Sequence, residues 1–163
     1  MELVKNIYEN EFEEMEGEVY FGYLDKYIHL RFEKDIPIEY VHKVAEKLNE
    51  LTEEMVCAIC KYSVEYCLDK LDDYEDLEMD IEDDEFDDCL NILEYMEIEG
   101  LVVNKPNNYE DIGINLEGSC DWDEENGIQW LIKDDQVVYV GPWSMLNIWR
   151  SPYENSMFNY AKE

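Results

Sequence analysis

A chain of 163 residues with 43 Asp plus Glu against 12 Lys plus Arg carries a formal charge of −31. That field excludes direct binding to nucleic acid or to an anionic membrane and favours a basic protein or a cation as partner. Hydrophobic residues at 46% and aromatics at 13% exclude a disordered acidic tail, so the charge must coat a folded core.

The length predicts one acidic domain over residues 1–163. No stretch approaches the roughly 18 apolar residues that a bilayer span requires. Met1-Glu2-Leu3-Val4-Lys5-Asn6 lacks the basic and apolar regions of a signal peptide, and five cysteines form no regular framework. A cytoplasmic protein with reduced thiols is the expectation.

In chain order, residues 18–33 alternate as a β-hairpin. Val19, Phe21 and Tyr23 share one face of its first strand, and Ile28, Leu30 and Phe32 share one face of its second. Asp35 as a cap and Pro37 in the first turn predict a helix start. A stripe of Val41, Val44, Leu48, Leu51, Met55, Ala58 and Tyr62 predicts one long helix behind them. Residues 69–88 carry thirteen carboxylates against Lys70 alone, with Leu71, Tyr74, Leu77, Ile81 and Phe86 at near-helical spacing. Both an acidic helix and an extended loop fit that run. Phe86, Cys89, Leu90, Leu93 and Met96 predict a second, shorter helix ending near Gly100.

Ile112, Ile114, Leu116, Cys120 and Trp122 then occupy even positions of a strand. A turn at Asp123–Gly127 leads to a strand at 128–133, and Asp134-Asp135 leads to another at 137–141. With Leu101-Val102-Val103 this predicts a C-terminal antiparallel meander of three to four strands. Hairpin, helices and meander together predict an α+β fold.

Few chemistry-bearing patterns stand out. Cys57-Ala58-Ile59-Cys60 lies within an apolar helical stretch and lacks the second ligand pair that zinc needs, so it reads as buried structural thiols. Asp121–Gly127 has the acidity of a calcium loop without its spacing, because Asn126 and Ile132 stand where Gly and a carboxylate are required. It reads as a turn in which Asn126-Gly127 supply positive φ angles. Trp122 falls on the core face of its strand. His29 and His42 read as surface histidines, and no nucleophile or phosphate-loop motif is present. No catalytic residue, metal ligand or cofactor follows from these patterns.

The acidic run remains as the candidate docking surface. Asp72, Asp73, Glu75, Asp76, Glu78, Asp80, Glu82, Asp83, Asp84, Glu85, Asp87 and Asp88 would present a polyanion to Lys and Arg of a partner, with Tyr74 and Phe86 as anchors.

Cys120–Gly127, followed by Val138-Tyr139-Val140-Gly141, resembles the signature of an uncharacterised bacterial domain family. In that family a Trp-Asp-x-Glu-His-Gly turn joins two strands and a second hairpin closes on Val-Gly. Asn126 stands here at the usual His. The resemblance spans about residues 98–145 and implies an immunity-like protein that binds a cognate toxin, with no catalytic residues to carry over. The expected function is therefore a non-enzymatic acidic module that occludes a basic, nuclease-like surface. A carboxylate-based metal protein or metal-dependent enzyme is the alternative, and charge serving solubility alone is a third.

Overall fold

Alternation of apolar residues over residues 14–33 builds the first hairpin of the computed structural model, which describes residues 2–73, 84–154 and 156–161. The hairpin comprises β2 (Glu14–Phe21) and β3 (Lys26–Glu33), and β1 (Val4–Glu9) pairs antiparallel with β2. After β3 come helices α1 (Ile38–Leu48) and α2 (Glu53–Asp73). Two 3₁₀ segments follow, Glu85–Asp87 and Cys89–Tyr95. Strands β4 (Met96–Val103), β5 (Gly113–Cys120), β6 (Ile128–Lys133) and β7 (Gln136–Gly141) complete the order.

All seven strands form one sheet in sequence order. The expected α+β class holds, and the C-terminal meander belongs to one seven-stranded sheet with the N-terminal strands. β4 lies parallel to β3, with His29 opposite Gly100 and Phe32 opposite Val103, and every other pair is antiparallel. Parallel neighbours need a long crossover, and both helices lie within this one.

The expected long helix is two. Its stripe continues through Leu48, Leu51 and Met55, yet α1 stops at Asn49, whose side chain has a tertiary use. The Asn49 amide donates to the Tyr20 and Ala45 carbonyls, each at 2.8 Å, and its oxygen accepts from Gly22 N at 2.6 Å. One side chain therefore ends α1 and clamps the β2–β3 turn. Thr52 Oγ1 then accepts from Met55 N and begins α2. Asp35 does not cap α1; it pairs with Lys105. The second helix expected near 86–100 is the pair of 3₁₀ segments, and Gly100 lies inside β4 rather than at a helix end.

The helices cover one face of the sheet. Val41, Val44 and Leu48 of α1 and Val56, Ile59 and Tyr66 of α2 join the inward residues of the strands in one core. Trp122, only 1% exposed, fills that core. Leu131 and Tyr139 point to the other face, where they pack with Ile148 and Tyr153 under the chain that follows β7. A polar ladder seats that chain. Asn115 Nδ2 donates to Asn104 Oδ1 and to the Leu146 carbonyl, Gln129 Nε2 donates to Asn115 Oδ1, and Ile148 N donates to Asn104 Oδ1. Satisfied buried amides of this kind fix a register that apolar contact alone leaves loose.

Candidate functional site

The acidic run leaves the core at the end of α2, and its departure point is firmly held. Tyr66 is fully buried, its ring edge-on to Trp122 at 5.5 Å and stacked on Tyr160 at 5.2 Å. Its hydroxyl lies 2.7 Å from Asp123 Oδ2 and 3.0 Å from the Gly127 carbonyl. One helical turn later, Lys70 Nζ stands 3.5 Å from the same Asp123 oxygen. The other oxygen of Asp123 accepts from Asn126 N. Burial works to raise the Asp123 carboxyl. The hydrogen bonds from Tyr66 and Asn126 and the charge of Lys70 outweigh it and hold the group below the ordinary value.

The Trp-Asp turn is thus the socket into which α2 plugs. Gly127 makes the turn possible, with φ of 72° and its α-carbon so close to the Gly118 carbonyl that a Cβ would lie 2.3 Å from that oxygen. Only Gly127 adopts the positive φ expected of the Asn126-Gly127 pair.

Asp72 is exposed in the last turn of α2, which closes with Asp73. Tyr74, Glu75, Asp76, Glu78, Asp80, Glu82 and Asp83 lie outside the described residues. Asp84, Asp87 and Asp88 are exposed, and Asp88 caps the second 3₁₀ segment by accepting from Leu90 N at 3.1 Å. Glu85 accepts from the Tyr95 hydroxyl at 3.1 Å. Phe86 packs against the core with its ring edge-on to Tyr95 at 6.0 Å. Phe86 thus ties the far end of the run to the core, and the exposed described side chains of the run are carboxylates.

A second acidic feature, one that periodicity did not reveal, lies beside the same turn. A shallow recess is edged by Glu99, Glu117, Ser119, Glu124, Glu125 and Trp143. Trp143 Nε1 donates to Glu117 Oε2 at 2.9 Å, and Ser119 Oγ donates to Glu99 Oε1 at 2.9 Å. Next to it, on the sheet face away from the helices, Arg31 approaches Glu117 at 3.9 Å, and His29 Nε2 meets Glu16 at 2.8 Å. Gly100 leaves room between them: a Cβ there would touch the His29 carbonyl at 3.3 Å and Glu117 at 3.6 Å. The Asn10 amide, and after it the charge of His29, hold the Glu16 carboxyl below its ordinary value against some desolvation. His29 is thus engaged by a carboxylate on this face.

Among the described residues, no group of three or more His, Cys, Asp or Glu side chains is placed to hold a metal ion. Likewise, no described helix is long and apolar enough to cross a membrane.

The family of this chain follows from comparison of its whole sheet-forming region. The domain of unknown function DUF6985 matches residues 3–147, from the strand before the hairpin to the chain that follows β7. The chain belongs to the DUF6985 family. Comparisons with curated proteins and with solved structures return no match. In this member, the α2 socket at Asp123, the parallel β3–β4 seam and the acidic recess all fall inside the matched region, while Tyr153, Asn159 and Tyr160 close the fold from outside it.

Proposed function

We propose that this DUF6985 protein is a non-enzymatic acidic binding module, an immunity-type inhibitor that covers the basic surface of a nuclease-like protein partner. The observation that carries this reading is the placement of charge. Thirteen carboxylates within residues 69–88 begin where Lys70 meets Asp123, and the next two residues of that turn, Glu124 and Glu125, edge the recess around Trp143. The run and the recess thus share one border.

Both ends of the run are seated in the fold, by Tyr66 on one side and by Phe86 and Tyr95 on the other. Anchored ends reduce the ordering entropy that a free acidic tail would lose on binding. Trp143, half-buried among carboxylates, offers a ring face and negative charge to an incoming Lys or Arg side chain. Long-range attraction would set the association rate, and such local contacts would set the lifetime of the complex.

The test is stopped-flow association with the basic protein encoded beside this gene or retained by the immobilised chain at low salt. Across ionic strengths that shorten the Debye length from about 30 Å to about 8 Å, the association rate should fall by at least tenfold. Changing Asp72, Asp84, Asp87 and Asp88 together to Asn should lower the rate at low salt, and Trp143→Ala should chiefly speed dissociation. An association rate indifferent to salt and to these changes would remove the electrostatic docking reading.

A further inference from the structure

Two of the five cysteines meet across the base of the acidic run. Cys57, in the second turn of α2, and Cys89, which opens the second 3₁₀ segment, have their sulfurs 3.2 Å apart. Cys89 Sγ also lies 3.7 Å from the Cys57 carbonyl, so its thiol is held toward the helix. Both side chains are half-buried, whereas Cys60, Cys67 and Cys120 are buried. Of the two CxxC cysteines expected to be buried structural thiols, Cys60 is buried and Cys57 is not. The fold gives Cys57 a different neighbour and partial access to solvent.

We propose that Cys57 and Cys89 are a redox-active thiol pair that a small two-electron oxidant, hydrogen peroxide, converts into a reversible disulfide. The geometry requires little movement. A disulfide has a sulfur–sulfur length of about 2.05 Å, so the sulfurs must approach by about 1.1 Å, and side-chain rotation supplies displacements of that size. The chemistry balances. One thiolate attacks the peroxide O–O bond, forms an S–O bond and releases hydroxide, leaving a sulfenic acid. The second thiolate attacks that sulfur, forms the S–S bond and expels the oxygen as a second hydroxide. The two protons surrendered by the thiols convert both hydroxides to water, so two thiols are oxidised and one peroxide is reduced. A dithiol reductant reverses the reaction by exchange.

The surroundings select this pair. Burial raises the thiols of Cys60, Cys67 and Cys120 to about 12, which leaves almost no thiolate there at neutral pH. Burial, the contact with Cys57 and the charge of Asp88 raise Cys89 as well, with Lys61, one turn beyond Cys57 on α2, only partly opposing them. What sets this pair apart is therefore the sulfur–sulfur contact and its access to solvent. Closure would join residues 57 and 89 into a covalent ring that contains the whole acidic run. This inference concerns the thiols alone and stands whether or not the docking reading does.

The test uses the full reduced chain in native buffer with a few equivalents of hydrogen peroxide, followed by alkylation under denaturing conditions and peptide mass mapping. The expected result is a fall from five alkylatable thiols to three. A linked peptide pair joining Cys57 to Cys89, lighter by two hydrogen atoms, should appear, and dithiothreitol should restore all five thiols. Under the same dose, Cys89→Ser should yield no linked peptide pair, and any oxidation should stop at a sulfenic acid on Cys57 that dithiothreitol reverses. Five thiols retained in the native chain, a Cys57–Cys60 link, or over-oxidised Cys57 without a link would each overturn the proposal. The native chain alone gives the decisive reading, so failure of a variant to fold leaves the test intact.

Discussion

Replacing Asp123 by Ala should destabilise the protein far more than a turn residue ordinarily does. Asp123 is 9% exposed and accepts from the Tyr66 hydroxyl at 2.7 Å and from Asn126 N at 3.2 Å, with Lys70 at 3.5 Å. Hydrogen bonds to a charged group contribute roughly 1.5–3 kcal/mol each. Tyr66 keeps the Gly127 carbonyl as an acceptor, and the Asn126 bond is long, so the contributions do not add in full. The expected loss is about 3 kcal/mol, which for a chain of this size lowers Tm by roughly 6–12 °C. Asp123→Asn retains an oxygen for Tyr66 and loses the charge, and should cost about half as much. A cycle of Asp123→Ala with Tyr66→Phe, read by urea unfolding of the tryptophan fluorescence, should give a coupling of about 1–2 kcal/mol. If Asp123→Ala unfolded within about 0.5 kcal/mol of the parent chain, the turn would not be the socket of α2.

The same carboxylate predicts a pH signature. Because the folded Asp123 sits below its ordinary value, the unfolded chain binds the proton first as pH falls. Its contribution is complete above about pH 3.9 and fades as pH drops through the lower folded value, so the stability gap between the parent and Asp123→Asn should narrow on acidification below pH 4. Gly127→Ala, forced into a positive φ with its methyl against the Gly118 carbonyl, should cost about 2 kcal/mol or more in the same unfolding assay. Asn115→Ala strips two donors from the ladder under residues 142–149 and leaves the Gln129 amide short of an acceptor; a loss of about 2 kcal/mol is expected, together with faster amide exchange at Leu146 and Ile148. With a charge of −31, Tm should rise from low to moderate salt as self-repulsion is screened, and a flat response in calorimetry would contradict the charged-coat reading.

Where a strand buries one face and wets the other, the fold could be read from residue types. Ile114, Leu116 and Cys120 lie on the core side of β5, and Trp122 enters the core just past its end. Strand β1 has no clean alternation to read, because Asn6, at a φ of 57°, marks a bulge where the pairing shifts between Lys5 and Tyr8. The break between α1 and α2 was hidden by an unbroken apolar stripe. Thr52 followed by Glu53 and Glu54 was the one local signal for a new helix start, and the physical cause of the break is the bond of Asn49 to the β2–β3 turn. Within the candidate site, the acidity of residues 69–88 was legible. The inward turn of Phe86, the recess at Trp143 and the thiol neighbour of Cys57 were not, since each depends on residues far apart in the chain.

Composition and periodicity by themselves determined that a strongly acidic coat surrounds an α+β core, because net charge and burial pattern are sums over residue types and need no coordinates. Only the tertiary structure decided that β3 and β4 lie side by side in parallel, making one sheet of seven strands, because a parallel seam joins segments separated by both helices and leaves no local mark. It likewise decided that Tyr66 and Lys70 meet Asp123, and that Cys57 faces Cys89 rather than Cys60. Those contacts turn an acidic stretch of sequence into a charged segment with a fixed root.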